Sequence, residues 1–92
     1  MTDRSSSAAV RLRPDAVEWR EVEGDVIAVD VRTSEYLAIN DTGAVLWRAL
    51  HGGATSAELV ERLVARFDVE PEAAMRDVEA FLAGLEERGL LE

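Results

Sequence analysis

The sequence predicts an α+β domain in which a three-stranded antiparallel sheet is followed by three helices. Three observations carry that expectation. From residue 16 to residue 39 apolar residues alternate with polar ones or run β-branched, and from residue 44 onward they take helical spacing. Short polar connections join the strand-like runs, which favours neighbouring strands in a meander. The 92 residues suffice for one small core and no more.

Ala16 to Glu23 interleaves Val17 and Trp19 with Glu18, Arg20 and Glu21, as a half-buried strand does, and Gly24-Asp25 is a turn signal. Val26 to Val31 is β-branched and nearly continuous, which predicts a more buried, central strand. Arg32-Thr33-Ser34 is short and polar, so Glu35 to Ile39 returns antiparallel as a third strand at the sheet edge. Asn40 to Gly43 supplies N-cap side chains before Ala44, Val45, Leu46, Trp47 and Leu50 fall at helical spacing; His51-Gly52-Gly53 stops that helix. Thr55 and Glu58 form a capping box, followed by an apolar stripe of Leu59, Val60, Leu63, Val64 and Phe67. Asp68-Val69-Glu70 breaks the stripe, and Pro71 suits the first turn of a third helix. Gly89 is placed for a left-handed helix end, with Leu90 packing back on Leu85. Residues 1–10 read as a flexible tail and residues 11–92 as the folded domain. The tail has no apolar centre of the signal-peptide kind, and no run of about 18 apolar residues exists. No membrane is expected, and the cytoplasm is the simplest location.

Composition removes whole classes of function. The chain has no Cys, one His, and ten basic residues that are all Arg, with a net charge of −9. That leaves no thiol nucleophile, no thiolate metal site, no Schiff-base lysine and no phosphate-loop lysine. His51 lies at the expected end of a helix, where a capping or surface role suits it better than a base with no nucleophile motif around it. The 19 carboxylates make chance pairs abundant and fit a solvated face. The helices from Thr55 to Arg88 have the outline of a helix-turn-helix with the hairpins as a wing. Yet Pro71 to Arg88 holds five acidic and two basic residues, a net of −3, which a phosphate backbone repels. The expectation is a protein that is not an enzyme and uses no cofactor, metal or nucleic acid.

The positive signal is the third strand. Edge strands usually carry lysine, proline, bulges or inward charges, and Tyr36-Leu37-Ala38-Ile39 carries none of these. The pattern alone leaves two readings open. The edge is covered by the chain's own third helix or tail, or it waits for a partner strand, as in peptide capture by strand addition. On the third helix Ala74, Met75, Val78, Phe81, Leu82 and Leu85 share an arc of about 120°. Most of it is core, with one margin free to line a groove beside the third strand.

The run from Tyr36 to Trp47, then Leu50 to Thr55, then Asp77-Val78-Glu79-Ala80-Phe81-Leu82 with Gly89-Leu90-Leu91, resembles the PqqD-like family. The likeness covers about Leu12 to Leu91, with Ile39 standing where the family has Leu before Asn40, and with Gly53 additional. It implies a winged helix-turn-helix that recognises the leader segment of a ribosomally made, later modified peptide. In such proteins the leader adds to the third strand and lies against the third helix. By that resemblance the backbone of Glu35, Tyr36, Leu37, Ala38 and Ile39 supplies the strand bonds, and Tyr36, Leu37, Met75, Val78, Phe81 and Leu82 are the candidates for side-chain pockets, with Asp77 a partner for a polar or basic leader group. The Thr-Gly-Ala-x-x-Trp run looks more like the lasso-peptide type, which delivers its precursor peptide to a separate leader peptidase. The alternatives are the pyrroloquinoline quinone type, which delivers to another modifying enzyme, and an acidic winged helix that acts as a protein-binding regulator.

Overall fold

The computed structural model describes residues 9–92 and contains β1 (Val17–Val22), β2 (Asp25–Asp30), β3 (Glu35–Ile39), α1 (Asp41–Gly52), α2 (Ser56–Phe67) and α3 (Pro71–Glu87). The sheet is antiparallel in the order β1-β2-β3, so β3 is an edge as the meander requires. Trp19, Ala28 and Leu37 align across the three strands on the core face, and Arg20, Ile27 and Ala38 align on the other.

β2 departs from expectation. It is central, but its continuous apolar run is not buried on both faces. Val26 and Ala28 are buried, whereas Ile27 is 42% exposed and Val29 half-buried. A single core on one side of the sheet leaves the other side to solvent.

The helix ends follow the local chemistry. Asn40 Oδ1 accepts from the Gly43 N–H at 2.7 Å and from Thr42 Oγ1 at 3.1 Å, which caps α1. Both halves of the Thr55–Glu58 capping box are present at the start of α2, at 2.8 and 3.1 Å. α3 closes in a Schellman turn. Gly89 has φ 72°, its N–H donates to Glu86 O at 2.9 Å, and the Leu90 N–H donates to Leu85 O at 3.0 Å. Leu85 and Leu90 are both buried, the apolar contact that accompanies this turn.

Trp47 lies wholly inside the core, edge-on to Trp19 at 6.2 Å, and Trp19 in turn meets His51 at 5.2 Å. His51 is thus a packing residue at the end of α1. The N-terminal segment closes the fold from outside. The Val10 N–H donates to Ala54 O at 2.8 Å, the Arg13 N–H to Leu90 O at 2.7 Å, and the Glu92 N–H to Arg11 O at 2.8 Å. Most of the expected tail, residues 1–8, lies outside the described residues; its last residue, Val10, pairs with Ala54.

Thr55→Ala removes one member of the capping box. Its urea midpoint falls at unchanged slope, corresponding to a loss of about 1 kcal/mol.

Candidate functional site

Among the described residues, β3 has β2 on one side only. Across from its open edge stands α3, and between them lies a groove of about 270 Å³. Residues 36–39 line it from β3; Ala80, Phe81, Gly84, Leu85 and Arg88 line it from α3. Towards Asn40 the groove continues into a second depression bounded by Thr42, Gly43, Asp77 and Phe81. A wider, more open hollow flanks β3 on the side of Ile27 and Phe67.

The Thr-Gly pair at the start of α1 has a physical role here. A Cβ on Gly43 would stand 3.0 Å from Asn40 Oδ1, 3.2 Å from Ile39 Cγ2 and 3.2 Å from the Phe81 ring. Glycine therefore lets three elements meet: the end of β3, the cap of α1 and the middle of α3.

At the other end the groove is fixed by charge. Asp30 is buried at the inner face of β2, and Arg32 forks onto it at 3.2 and 3.1 Å. The hydrogen bond from Arg32 holds the Asp30 carboxyl below its ordinary value of 3.8, against the opposing effect of burial. The same guanidinium donates to Arg88 O at 2.6 Å, beyond the end of α3. Arg88 then returns to β3 through an ion pair with Glu35 at 3.0 Å. The β2–β3 turn thus grips the end of α3 and sets its distance from the strand.

The expected site residues divide. Glu35, Tyr36, Ala38 and Ile39 lie along the edge strand, with Tyr36 76% exposed. Asp77 and Phe81 face the groove or its extension. Leu37 and Val78 are buried in the core, so Val78 offers no pocket surface and Leu37 contributes to the groove from within the strand. Met75 and Leu82 stand on the other margin of α3. At about 100° per residue they lie roughly 120° and 100° from Phe81 in one sense, while Asp77, Gly84 and Arg88 lie within about 60° in the other. Both margins border the same apolar arc, so periodicity alone did not choose between them. Ala80, Gly84, Leu85 and Arg88 were missed. A glycine inside a helix beside an apolar arc was the available signal.

The fold and the groove define a class: a small α+β domain that presents one unpaired strand edge to the face of its C-terminal helix. The family model described as coenzyme PQQ synthesis protein D (PqqD) matches residues 25–91. The chain belongs to the PqqD family. No curated protein sequence matches it. Among solved structures, TbiB1 in complex with the TbiA(beta) leader peptide is similar at 27% identity and TM-score 0.81, covering 89% of this chain and 94% of that one. A lasso peptide synthetase B1 complexed with its leader peptide is similar at 31% identity and TM-score 0.74, covering 90% and 96%. The PqqD truncation of Methylobacterium extorquens PqqCD, a stand-alone recognition element, shares the fold at 22% identity and TM-score 0.73, covering 96% and 93%. Within the family the chain thus shares more identity with the lasso B1 protein than with this PqqD. Among the described residues no helix is long and apolar enough to cross a membrane, and no cluster of three or more His, Cys, Asp or Glu side chains is set to hold a metal.

The Asp30–Arg32 fork makes a pH prediction with a definite sign. A carboxyl whose folded-state pKa is depressed stabilises the fold above its unfolded value and loses that contribution as pH falls through the folded one. Asp30→Asn is expected to be less stable than the parent at neutral pH, with the difference shrinking below the ordinary carboxylate range. Urea midpoints measured across an acid series check this.

Proposed function

We propose that the chain binds the leader segment of a ribosomally made precursor peptide by strand addition to β3 against α3, and presents it to a separate modifying enzyme, the leader peptidase of a lasso-peptide pathway. One observation carries the reading: among the described residues, the outer edge of β3 has no strand paired to it and faces α3 across a groove. An extended segment laid there would pair its main chain with β3 and turn alternate side chains towards Phe81 and Leu85. The groove offers hydrogen-bonding backbone and apolar walls, and among its described residues no nucleophile stands beside a base. Binding, and not chemistry, is what such a surface can do.

The leader-peptide complexes among the similar structures support the choice of ligand, and the 31% identity to a lasso peptide synthetase B1 supports the pathway. Delivery to a peptidase is the step that follows from that pathway. The pyrroloquinoline quinone reading keeps the same groove and changes the precursor and the receiving enzyme.

Ala38→Pro tests strand addition. Proline in the middle of β3 removes a main-chain donor and strains the edge. With a fluorescein-labelled leader of the cognate precursor, fluorescence polarisation is expected to show loss of binding by a variant whose circular dichroism matches the parent. Binding equal to the parent's by that folded variant excludes pairing at this edge.

A further inference from the structure

The groove contains one gap that the fold does not require. Gly84 lies inside α3, where glycine is a poor helix former. Its φ is not positive, so no left-handed turn demands it, and a Cβ placed on it meets no atom within 4 Å, so no close neighbour demands it. Gly43 is the contrast, with three atoms at 3.0–3.2 Å from the corresponding point. Yet Gly84 is half-buried and lines the groove together with Leu37 and Ala38 of β3.

Spacing gives the gap a meaning. Side chains on one face of a strand recur at about 6.6 Å. Residues four apart on a helix are separated by about 6 Å along its axis. Ala80, Gly84 and Arg88, which line the groove, would therefore stand opposite successive core-facing side chains of a strand laid on β3. Arg88 is engaged with Glu35, and Ala80 already carries a methyl group. The position with room is Gly84, flanked by the apolar side chains of Phe81 and Leu85.

We propose that Gly84 is the specificity-determining residue of the groove: the side chain it lacks leaves space for one large apolar side chain on the core-facing side of the added strand. This inference rests on the strand-addition reading above and names what that strand must carry. Gly84 acts by leaving room, and so its effect is separable from fold stability.

The experiment uses Gly84→Ala, Gly84→Leu and, as a matched helical glycine outside the groove with nothing within 4 Å, Gly52→Ala. Each is measured by thermal melt and by polarisation with the labelled leader peptide. All three are expected to melt at or above the parent temperature, because each replaces glycine in a helix. Gly84→Leu is expected to lose about ten-fold or more in affinity, Gly84→Ala less, and Gly52→Ala nothing. In an alanine scan of the leader, one large apolar position that matters to the parent is expected to stop mattering to Gly84→Leu. A folded Gly84→Leu that binds within about two-fold of the parent, while Ala38→Pro does not bind, overturns the role of Gly84 and leaves strand addition standing. Parent-like binding by folded Ala38→Pro overturns the reading beneath it.

Discussion

Arg32 decides how far apart the two halves of this fold stand. Its guanidinium is fixed on one side by the buried carboxylate of Asp30 and on the other by the carbonyl of Arg88. A carboxylate with so little solvent calls for such a partner, since a charge removed from water without one is disfavoured. The partner then has a fork of donors to spare, and the helix end has carbonyls without intrahelical partners. One residue satisfies both needs, and in doing so ties the hairpin to the end of α3. Glu35 and Arg88 complete the tie at the same end, while Gly43 and Phe81 bring the elements together at the other. The groove is what remains between two fixed ends.

Features that depend on a few neighbouring residues were legible in the sequence. The Asn40 cap, the Thr55–Glu58 box, the Pro71 start and the Gly89 turn each rest on residues within about one helical turn, and each stands where the spacing put it. The edge position of β3 followed from short connections alone. What was not legible joins residues far apart in the chain. Arg32 meets Arg88 across 56 positions, and Arg11 meets Glu92 across 81. The contact of Arg32 with Arg88 lies at the margin of α3 that borders the groove, whereas the apolar arc pointed to Met75 and Leu82 on the other margin. The half-exposed face of β2 was misread for a related reason. A run such as Val26 to Val29 reports apolar character on both faces, and cannot report that helices supply only one layer.

An open strand edge beside an apolar sheet face is an aggregation hazard in most proteins. Here β3 is five residues long, begins at an ion pair and ends in a helix cap. The net charge of −9 opposes self-association at longer range. On the proposed reading α3 would add a steric filter. A lone extended segment would enter between strand and helix, whereas an edge strand that belongs to a folded sheet brings its neighbouring strand with it and would meet α3.

That wall also explains why an edge by itself would be a poor receptor. Main-chain hydrogen bonds formed on strand addition contribute about 0.5–1.5 kcal/mol each after water is displaced. Ordering each residue of a flexible peptide costs about 1–2 kcal/mol. The two nearly cancel, and neither depends on which side chains the peptide carries. Affinity and selectivity must therefore come from side chains that leave water, at about 25 cal/mol per Å² of apolar surface. On the proposed reading those side chains would meet Phe81 and Leu85, and the room available to them would be set by what α3 carries at each fourth position. β1 is an edge too, but it presents Glu18 and Arg20 on its solvent face and Glu21 tied to Arg48. β3 carries no such guard between Tyr36 and Ile39, and on the proposed reading the selectivity of the domain would belong to α3 more than to the strand it would extend.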